Sequence, residues 1–375
     1  MNEKIARFFA EQQPATPCLV VDLDIVDENF RSLTAALPDA KIYYAVKANP
    51  APEILSLLVE RGSSFDTASV PEIEMVLAAG ATAERISYGN TIKKQRDIAK
   101  AYELGVRLFA FDSIGELDKI AEAAPGSRVF CRILTSGEGA EWPLSRKFGC
   151  DPAMARTLLI AAAGKGLVPY GVSFHVGSQQ KDPTQWDTAL RTVAEMFHDL
   201  EALGITLSMV NLGGGFATRY RSDVPESEAY GNAILDSLRR HFGNRIPETI
   251  VEPGRSMVGN AGVIESEVVL ISTKSANDNR RWVYLDIGKF GGLAETMDEA
   301  IQYPIVTTRS GATDSVILAG PTCDSADVLY EKADYQLPLD LAIGDRIRIH
   351  AAGAYTTTYA SVNFNGFAPL SQYYI

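Results

Sequence analysis

The sequence predicts an α/β protein built as a (β/α)8 barrel of the TIM type, with a second, all-β domain. Three observations carry the prediction. From about residue 40 to 255, short β-rich runs alternate with stretches whose apolar residues recur at i, i+3 and i+4. Eight such runs fit one closed barrel, for which about 250 residues is typical. After Gly259 helical periodicity fades, and β-rich runs separated by Gly, Asp and Asn turns take over. On the strand count alone, a doubly wound open sheet is the alternative.

Taken in order, the N-terminal "MNEKIARFFAEQQPATP" reads as an amphipathic turn or two of helix, too short for a signal segment. "PCLVVDLD" follows without a preceding barrel helix and is placed with the β domain. The expected barrel strands are Ile42–Val46, Ser64–Asp66, Arg85–Tyr88, Arg107–Phe111, Arg128–Ile133, Val168–His175, Ser208–Leu212 and Glu248–Glu252. Helices such as "PEIEMVLAAGA", "KKQRDIAKAYELG" and "SIGELDKIAEAA" lie between them, several closed by glycine. The later runs "GVIESEVVLIST", "RRWVYLDIG", "DSVILAG" and "GDRIRIHAAGAYTT" form the β domain. The expected division is 27–262 for the barrel, with 1–26 and 263–375 in the β domain.

At 375 residues and 46% hydrophobic, the chain can bury a core large enough for two domains. Its net charge of −12 argues against nucleic acid, whose phosphates need clustered Lys and Arg. Cys18, Cys131, Cys150 and Cys323 form no CxxC pair, and no zinc spacing appears, so reduced thiols and no metal are expected. No window approaches about 18 uninterrupted apolar residues, so no membrane span is expected. A soluble cytoplasmic protein is the expectation.

In such a barrel, reactive groups project from the C-terminal ends of the strands. Those ends carry Lys47, Asp66, Asn90, Arg132, His175, the run Gly213-Gly214-Gly215, and Glu252. Each has a bland reading: lysines are mostly solvated, a glycine run is often just a tight loop, and a strand-end histidine is commonly a core residue. Their convergence on one rim favours chemistry. "NLGGGF" and "VEPGR", with Gly254 and Arg255, follow the seventh and eighth strands, where barrels frequently build a phosphate site. A phosphate site beside a lysine suggests pyridoxal 5'-phosphate, whose aldehyde the Lys47 amine would engage. Glu252 suits the acid that keeps the cofactor's pyridine nitrogen protonated. His175 would stack on the ring, and Ser178 would donate to the phosphate.

The chain resembles the fold-type III pyridoxal-phosphate decarboxylases of basic amino acids, the ornithine/lysine decarboxylase family. "YAVKAN", "FDTAS", "FHVGSQ", "GGGF", "EPGR", "GPTCDSAD" and "GAYT" occur in that family's order, from "TPCLVVD" to "NFNGF". The resemblance implies an alanine racemase-like β domain, and it makes Lys47 the cofactor-binding lysine, His175 the stacking residue and Glu252 the pyridine partner. Asp66, Glu72 and Arg132 would form the surrounding polar shell. Ser178, Gly213 to Gly215, Arg255 and Tyr355 would hold the phosphate. Cys323 and Asp324 would serve the site of a neighbouring subunit in a homodimer, Cys323 as the acid that protonates the substrate carbon. Lys147 and Asp327 match a pair that bridges that interface. Asp324 and Glu299, with Asp298 as the alternative to Glu299, would hold the distal ammonium of L-ornithine or L-lysine. The products would be putrescine or cadaverine, as in polyamine biosynthesis.

The rivals are an alanine-racemase-like enzyme, a diaminopimelate decarboxylase, and a non-catalytic homologue. A distal carboxylate would be repelled by Asp324 and Glu299, and a non-catalytic protein has no need of both Lys47 and Cys323. Arginine decarboxylases of this fold are expected to be much longer chains.

Overall fold

A computed structural model describes residues 2–142, 147–277 and 280–375. The chain divides into two compact units. One comprises Asp27–Ala217 and Val224–Gly254; the other comprises Met1–Val26, Thr218–Asp223 and Arg255–Ile375.

Strand β1 (Cys18–Val21) belongs to the second unit. The first unit contains β2 (Ala40–Ala45), β3 (Ser64–Thr67), β4 (Ile86–Tyr88), β5 (Leu108–Phe111), β6 (Arg128–Arg132), β7 (Ala140–Trp142), β8 (Val168–Ser173), β9 (Ser178–Gln180), β10 (Met209–Asn211) and β11 (Glu248–Val251). All eight expected strands are present, and they close as a parallel barrel in the order β2-β3-β4-β5-β6-β8-β10-β11. β7 and β9 form a separate antiparallel pair. Parallel strands covered on both faces need apolar residues on both, which explains the near-continuous hydrophobic runs. Tyr43, Leu108, Ala110, Phe130, Met209 and Ile250 form one cluster, with Tyr170 against it. Residues from strands so far apart around a closed barrel can meet only in its interior. Two of the helices start where serine supplies a cap: Ser69 and Ser113 accept from the backbone N–H of Glu72 and Glu116.

Most strand ends differ from expectation by a residue or two, and the ends of β2 and β8 bear on Lys47 and His175. β2 stops at Ala45, and Val46–Ala48 forms a 3-10 turn closed by a Tyr44 Oη donation to the Asn49 carbonyl at 2.8 Å. β8 stops at Ser173, and Gly177, at φ +101°, turns the chain into β9.

The second unit is a sheet containing β12 (Gly262–Ser272), β13 (Arg281–Leu285), β14 (Ile305–Thr307), β15 (Thr313–Ala319), β16 (Val328–Pro338), β17 (Arg346–His350) and β18 (Ser371–Tyr374). Its path runs β14-β17-β12-β13-β15-β16. β1 pairs antiparallel with β12, as the early "PCLVVD" run suggested, and parallel with β18. The opening helix, Glu3–Gln12, is longer than expected; it is capped by Asn2 and buries Ile5 and Phe9 against Cys18, Val20 and Val263. The division also departs from the expected boundary at 262. Arg255–Val258 and Gly259–Ala261 pack with the β unit, where Gly353 N–H donates to Gly259 C=O at 3.0 Å and Ala352 N–H to Gly262 C=O at 2.9 Å.

Candidate active site

The C-terminal rim of the barrel gathers Lys47, Asp66, Arg132, His175 and Glu252. Lys47 lies in the turn after β2, its side chain exposed while Val46 and Ala48 on either side are fully buried. The two neighbours anchor the turn, and the Lys47 charge is felt by Asp66, Glu72 and His175.

Glu252 directly follows β11, and a chain of short hydrogen bonds fixes it. Asn211 Nδ2 donates to Glu252 Oε1 at 2.5 Å, and Glu252 N–H donates to Gly213 C=O at 2.8 Å. Asn211 Oδ1 accepts from Gly213 N–H at 2.9 Å. Asn211 thus ties the carboxylate to the glycine loop. Sequence reasoning passed over it, although a polar residue ending the apolar strand "SMVNL" was a readable signal.

Asp66, in β3, is buried, and Ser87 Oγ donates to its Oδ1 at 3.2 Å. Burial, then the nearby Glu252 charge, push its carboxyl well above the usual range; Lys47 acts the other way. Gly89 must be glycine, because a Cβ there would lie 1.9 Å from Asp66 Oδ1. Burial likewise pulls the Arg132 guanidinium down, against the attraction of Glu252, Asp66 and Asp112. Glu72 accepts from Ala68 N–H at 2.6 Å, and burial raises its pKa.

His175 lies in the loop after β8. Gly177 N–H donates to its Nδ1 at 3.0 Å, so the proton of the neutral ring sits on Nε2. Burial first, then Arg132 and Lys47, hold its pKa well below the ordinary histidine value. The ring is a neutral, flat surface, as stacking on a cofactor requires.

The glycine loop lies against this cluster. A Cβ at Gly214 would meet Glu252 O at 2.7 Å and His175 Nε2 at 3.2 Å. Gly213 and Gly215 have φ of +65° and +107°, which other residues rarely adopt. Gln180 N–H donates to Gly215 C=O at 2.9 Å, which brings β9, and Ser178 at its start, alongside the loop. Closely approached backbone beside a serine hydroxyl suits a phosphate. Together with an exposed lysine and a fixed carboxylate, these residues fit pyridoxal phosphate. Gly254 is buried and ends the barrel unit.

In the β unit, Arg255 is buried and its guanidinium is gripped by Glu295, at 2.5 Å to Oε1 and 2.6 Å to Oε2. It also donates to Tyr220 Oη at 2.8 Å and lies 4.9 Å from the Tyr355 ring centroid. Burial pulls its pKa down, but Tyr220 and Glu295 outweigh this and hold it well above the ordinary value. Nothing in the sequence marked Glu295 as a buried ion-pair partner.

One expectation in this unit needs correction, and a second residue has a role within its own chain. Glu299 accepts from three backbone N–H groups of β16, those of Glu331, Lys332 and Ala333, at 2.6–2.8 Å. Its carboxylate is a clamp on the sheet edge, already spent as a ligand for a distal ammonium. The neighbouring Asp298, at φ +53°, is exposed. Asp327 was expected to bridge an interface with Lys147. Within the single chain it is 2% exposed, accepting from Lys289 N–H at 2.8 Å, Thr322 N–H at 3.1 Å and Thr322 Oγ1 at 2.7 Å. It organises the "GPTCDSAD" loop from within, while Lys147 is exposed over the Phe148 ring. That loop presents Cys323 and Asp324 to solvent, with Cys323 N–H donating to Asn365 Oδ1 at 3.0 Å. Among the described residues no His/Cys/Asp/Glu group could hold a metal, and no helix is long and apolar enough to cross a membrane.

Residues 23–259 match the family model of the pyridoxal-dependent decarboxylase pyridoxal-binding domain. A lysine/ornithine decarboxylase of Selenomonas ruminantium is 36% identical over 372 residues, covering 98% of this chain and 91% of the relative. The crystal structure of the Selenomonas lysine decarboxylase with pyridoxal phosphate and cadaverine superposes with a TM-score of 0.89 at 34% identity, covering 99% of this chain and 93% of that one. The Paramecium bursaria Chlorella virus arginine decarboxylase bound to agmatine gives a TM-score of 0.90 at 27% identity, with 100% of both chains covered. An arginine decarboxylase of this fold can therefore match this chain in length, contrary to the sequence-based expectation.

Proposed function

Because the chain belongs to the pyridoxal-dependent decarboxylases that act on basic amino acids, we propose that it removes the α-carboxylate of L-ornithine, and also of L-lysine. The products would be putrescine and cadaverine, precursors in polyamine biosynthesis. One observation carries the reading: Lys47, whose charge reaches Asp66 and His175, a neutral His175 and an Asn211-fixed Glu252 converge beside the Gly213–Gly215 cradle. Pyridoxal phosphate, when bound, supplies an electron-poor ring that accepts the electron pair left as carbon dioxide departs.

The chain's own residues do the rest. The Lys47 amine would hold the cofactor through its aldehyde. Glu252 holds a proton at the pyridine nitrogen, and Asn211 keeps its carboxylate aimed. His175, lacking charge, offers its face to the ring without competing for that proton. Ser178 and the backbone of Gly213 to Gly215 bind phosphate; the family resemblance adds Arg255 and Tyr355. Cys323 of a second copy delivers a proton to the substrate carbon, and Asp324 with Asp298 receives the distal ammonium. A homodimer is supported by the apolar surface beside the Cys323 loop, where Val362 is 83% exposed and Tyr359 and Phe367 are also open. An adjacent hollow of about 520 Å³ is lined by Pro321, Thr322, Phe364 and Phe367.

The test is where the cofactor attaches. Borohydride treatment of the loaded protein should fix a pyridoxyl group on the Lys47 peptide, and Lys47→Ala should lose both the label and turnover. A label on another lysine would overturn the assignment.

A further inference from the structure

Two of the four cysteines, 19 residues apart in sequence, meet in the barrel unit. Cys131 lies in β6, Cys150 follows the loop after it, and their sulfurs are 3.7 Å apart. The surrounding backbone is already paired: Ile133 and Cys150 form a parallel bridge, Cys150 N–H donates to Arg132 C=O at 3.1 Å, and Leu134 N–H to Cys150 C=O at 2.9 Å. We propose that Cys131 and Cys150 are an oxidisable dithiol, a modification site that closes to a disulfide under a peroxide. The inference needs neither the cofactor nor the substrate.

The geometry requires little movement. A disulfide needs about 2.05 Å between sulfurs, so the thiols must approach by rotating side chains whose backbones are held in register. The two have unequal roles. Cys150 retains 6% exposure and Cys131 none, so an oxidant reaches Cys150 first. A hydrogen bond from Cys131 pulls the Cys150 thiol down, and the same bond pushes Cys131 up. Cys150 is therefore the nucleophile and Cys131 the resolving partner.

The Cys150 thiolate attacks one peroxide oxygen, breaking the O–O bond, releasing hydroxide and becoming a sulfenic acid. Cys131 then attacks the Cys150 sulfur and expels the oxygen as water. Overall, two thiols lose two hydrogens and two electrons, and one hydrogen peroxide becomes two waters. The bond closes a ring at the base of the loop carrying β7, whose partner β9 begins with Ser178.

The experiment uses the pyridoxal-phosphate-loaded protein as Cys323→Ser, which removes the exposed thiol. It is treated with hydrogen peroxide, alkylated, and digested with trypsin without reduction. The expected product is "VFCR" joined to "FGCDPAMAR", with intact mass lower by about 2 Da. Dithiothreitol should separate the peptides, and Cys150→Ser should prevent the link. In Cys131→Ser, Cys150 should stop at a dimedone-trappable sulfenic acid. If that trapping fails, or if both thiols alkylate fully or over-oxidise without linking while the protein stays folded, the pair is a packing contact only.

Discussion

At the scale of single residues, the chemistry depends on which polar groups are held and which are left open. Asn211 is the sharpest case, since one buried amide holds both the Glu252 carboxylate and the backbone of Gly213. Hydrogen bonds to charged groups are worth about 1.5–3 kcal/mol. Asn211→Ala should therefore lower kcat about ten- to a hundredfold, with a smaller change in KM. Glu252→Gln should fall further while still retaining cofactor, because a neutral amide cannot hold the ring proton. Steady-state kinetics beside cofactor titration separates the two effects; an Asn211→Ala enzyme with wild-type kcat would remove the positioning role. The acids of Ala294–Glu299 show the same distinction. Glu295 is spent on Arg255 and Glu299 on β16, whereas Asp298 is exposed.

At the scale of elements, much was legible. Strands buried on both faces must be apolar throughout, so all eight barrel strands could be read directly, and their C-terminal ends led to the residues gathered at the barrel rim. What escaped were features set by tertiary contacts. The turn that exposes Lys47 depends on Tyr44 reaching Asn49, and β18 is too polar and short to be recognised without β1 beside it. The role of Glu299 and the intrachain bonds of Asp327 escaped for the same reason: a carboxylate looks alike in sequence whether it clamps backbone or faces solvent. Elements are also tied by charge. Asp27, in the helix Leu23–Ala36, pairs with Arg61, just after Pro52–Glu60, and with Arg31. Hydrogen bonding from Arg61 is the largest influence holding its carboxyl below the ordinary value. A depressed carboxylate contributes stability that is complete above its unfolded pKa of about 3.9 and is lost as pH falls through its folded pKa. Asp27→Asn should thus lower stability at neutral pH and flatten its decline below about pH 4. Denaturant unfolding at neutral and acidic pH measures this, and an unchanged acid limb would contradict it.

At the scale of the whole molecule, the chain's two ends meet in one sheet, with β1 between β12 and β18. Pairing of chain with chain is not written in any local pattern; in the proposed homodimer it would enter through the exposed Cys323 loop and the apolar surface beside it. In a two-fold dimer each contact occurs twice. Lys47→Ala and Cys323→Ala dimers, each nearly inactive, should regain roughly a quarter of wild-type diamine output once their subunits exchange at equal amounts. No recovery after proven exchange would place Cys323 in its own chain's site. The central claim is that this chain, loaded with pyridoxal phosphate, decarboxylates a diamino acid. Quantifying carbon dioxide and amine from L-ornithine and L-lysine tests it most directly. The account predicts equal amounts of carbon dioxide and putrescine or cadaverine, and neither from Lys47→Ala. A loaded protein, its cofactor mapped to Lys47, that releases no carbon dioxide from either substrate would contradict it.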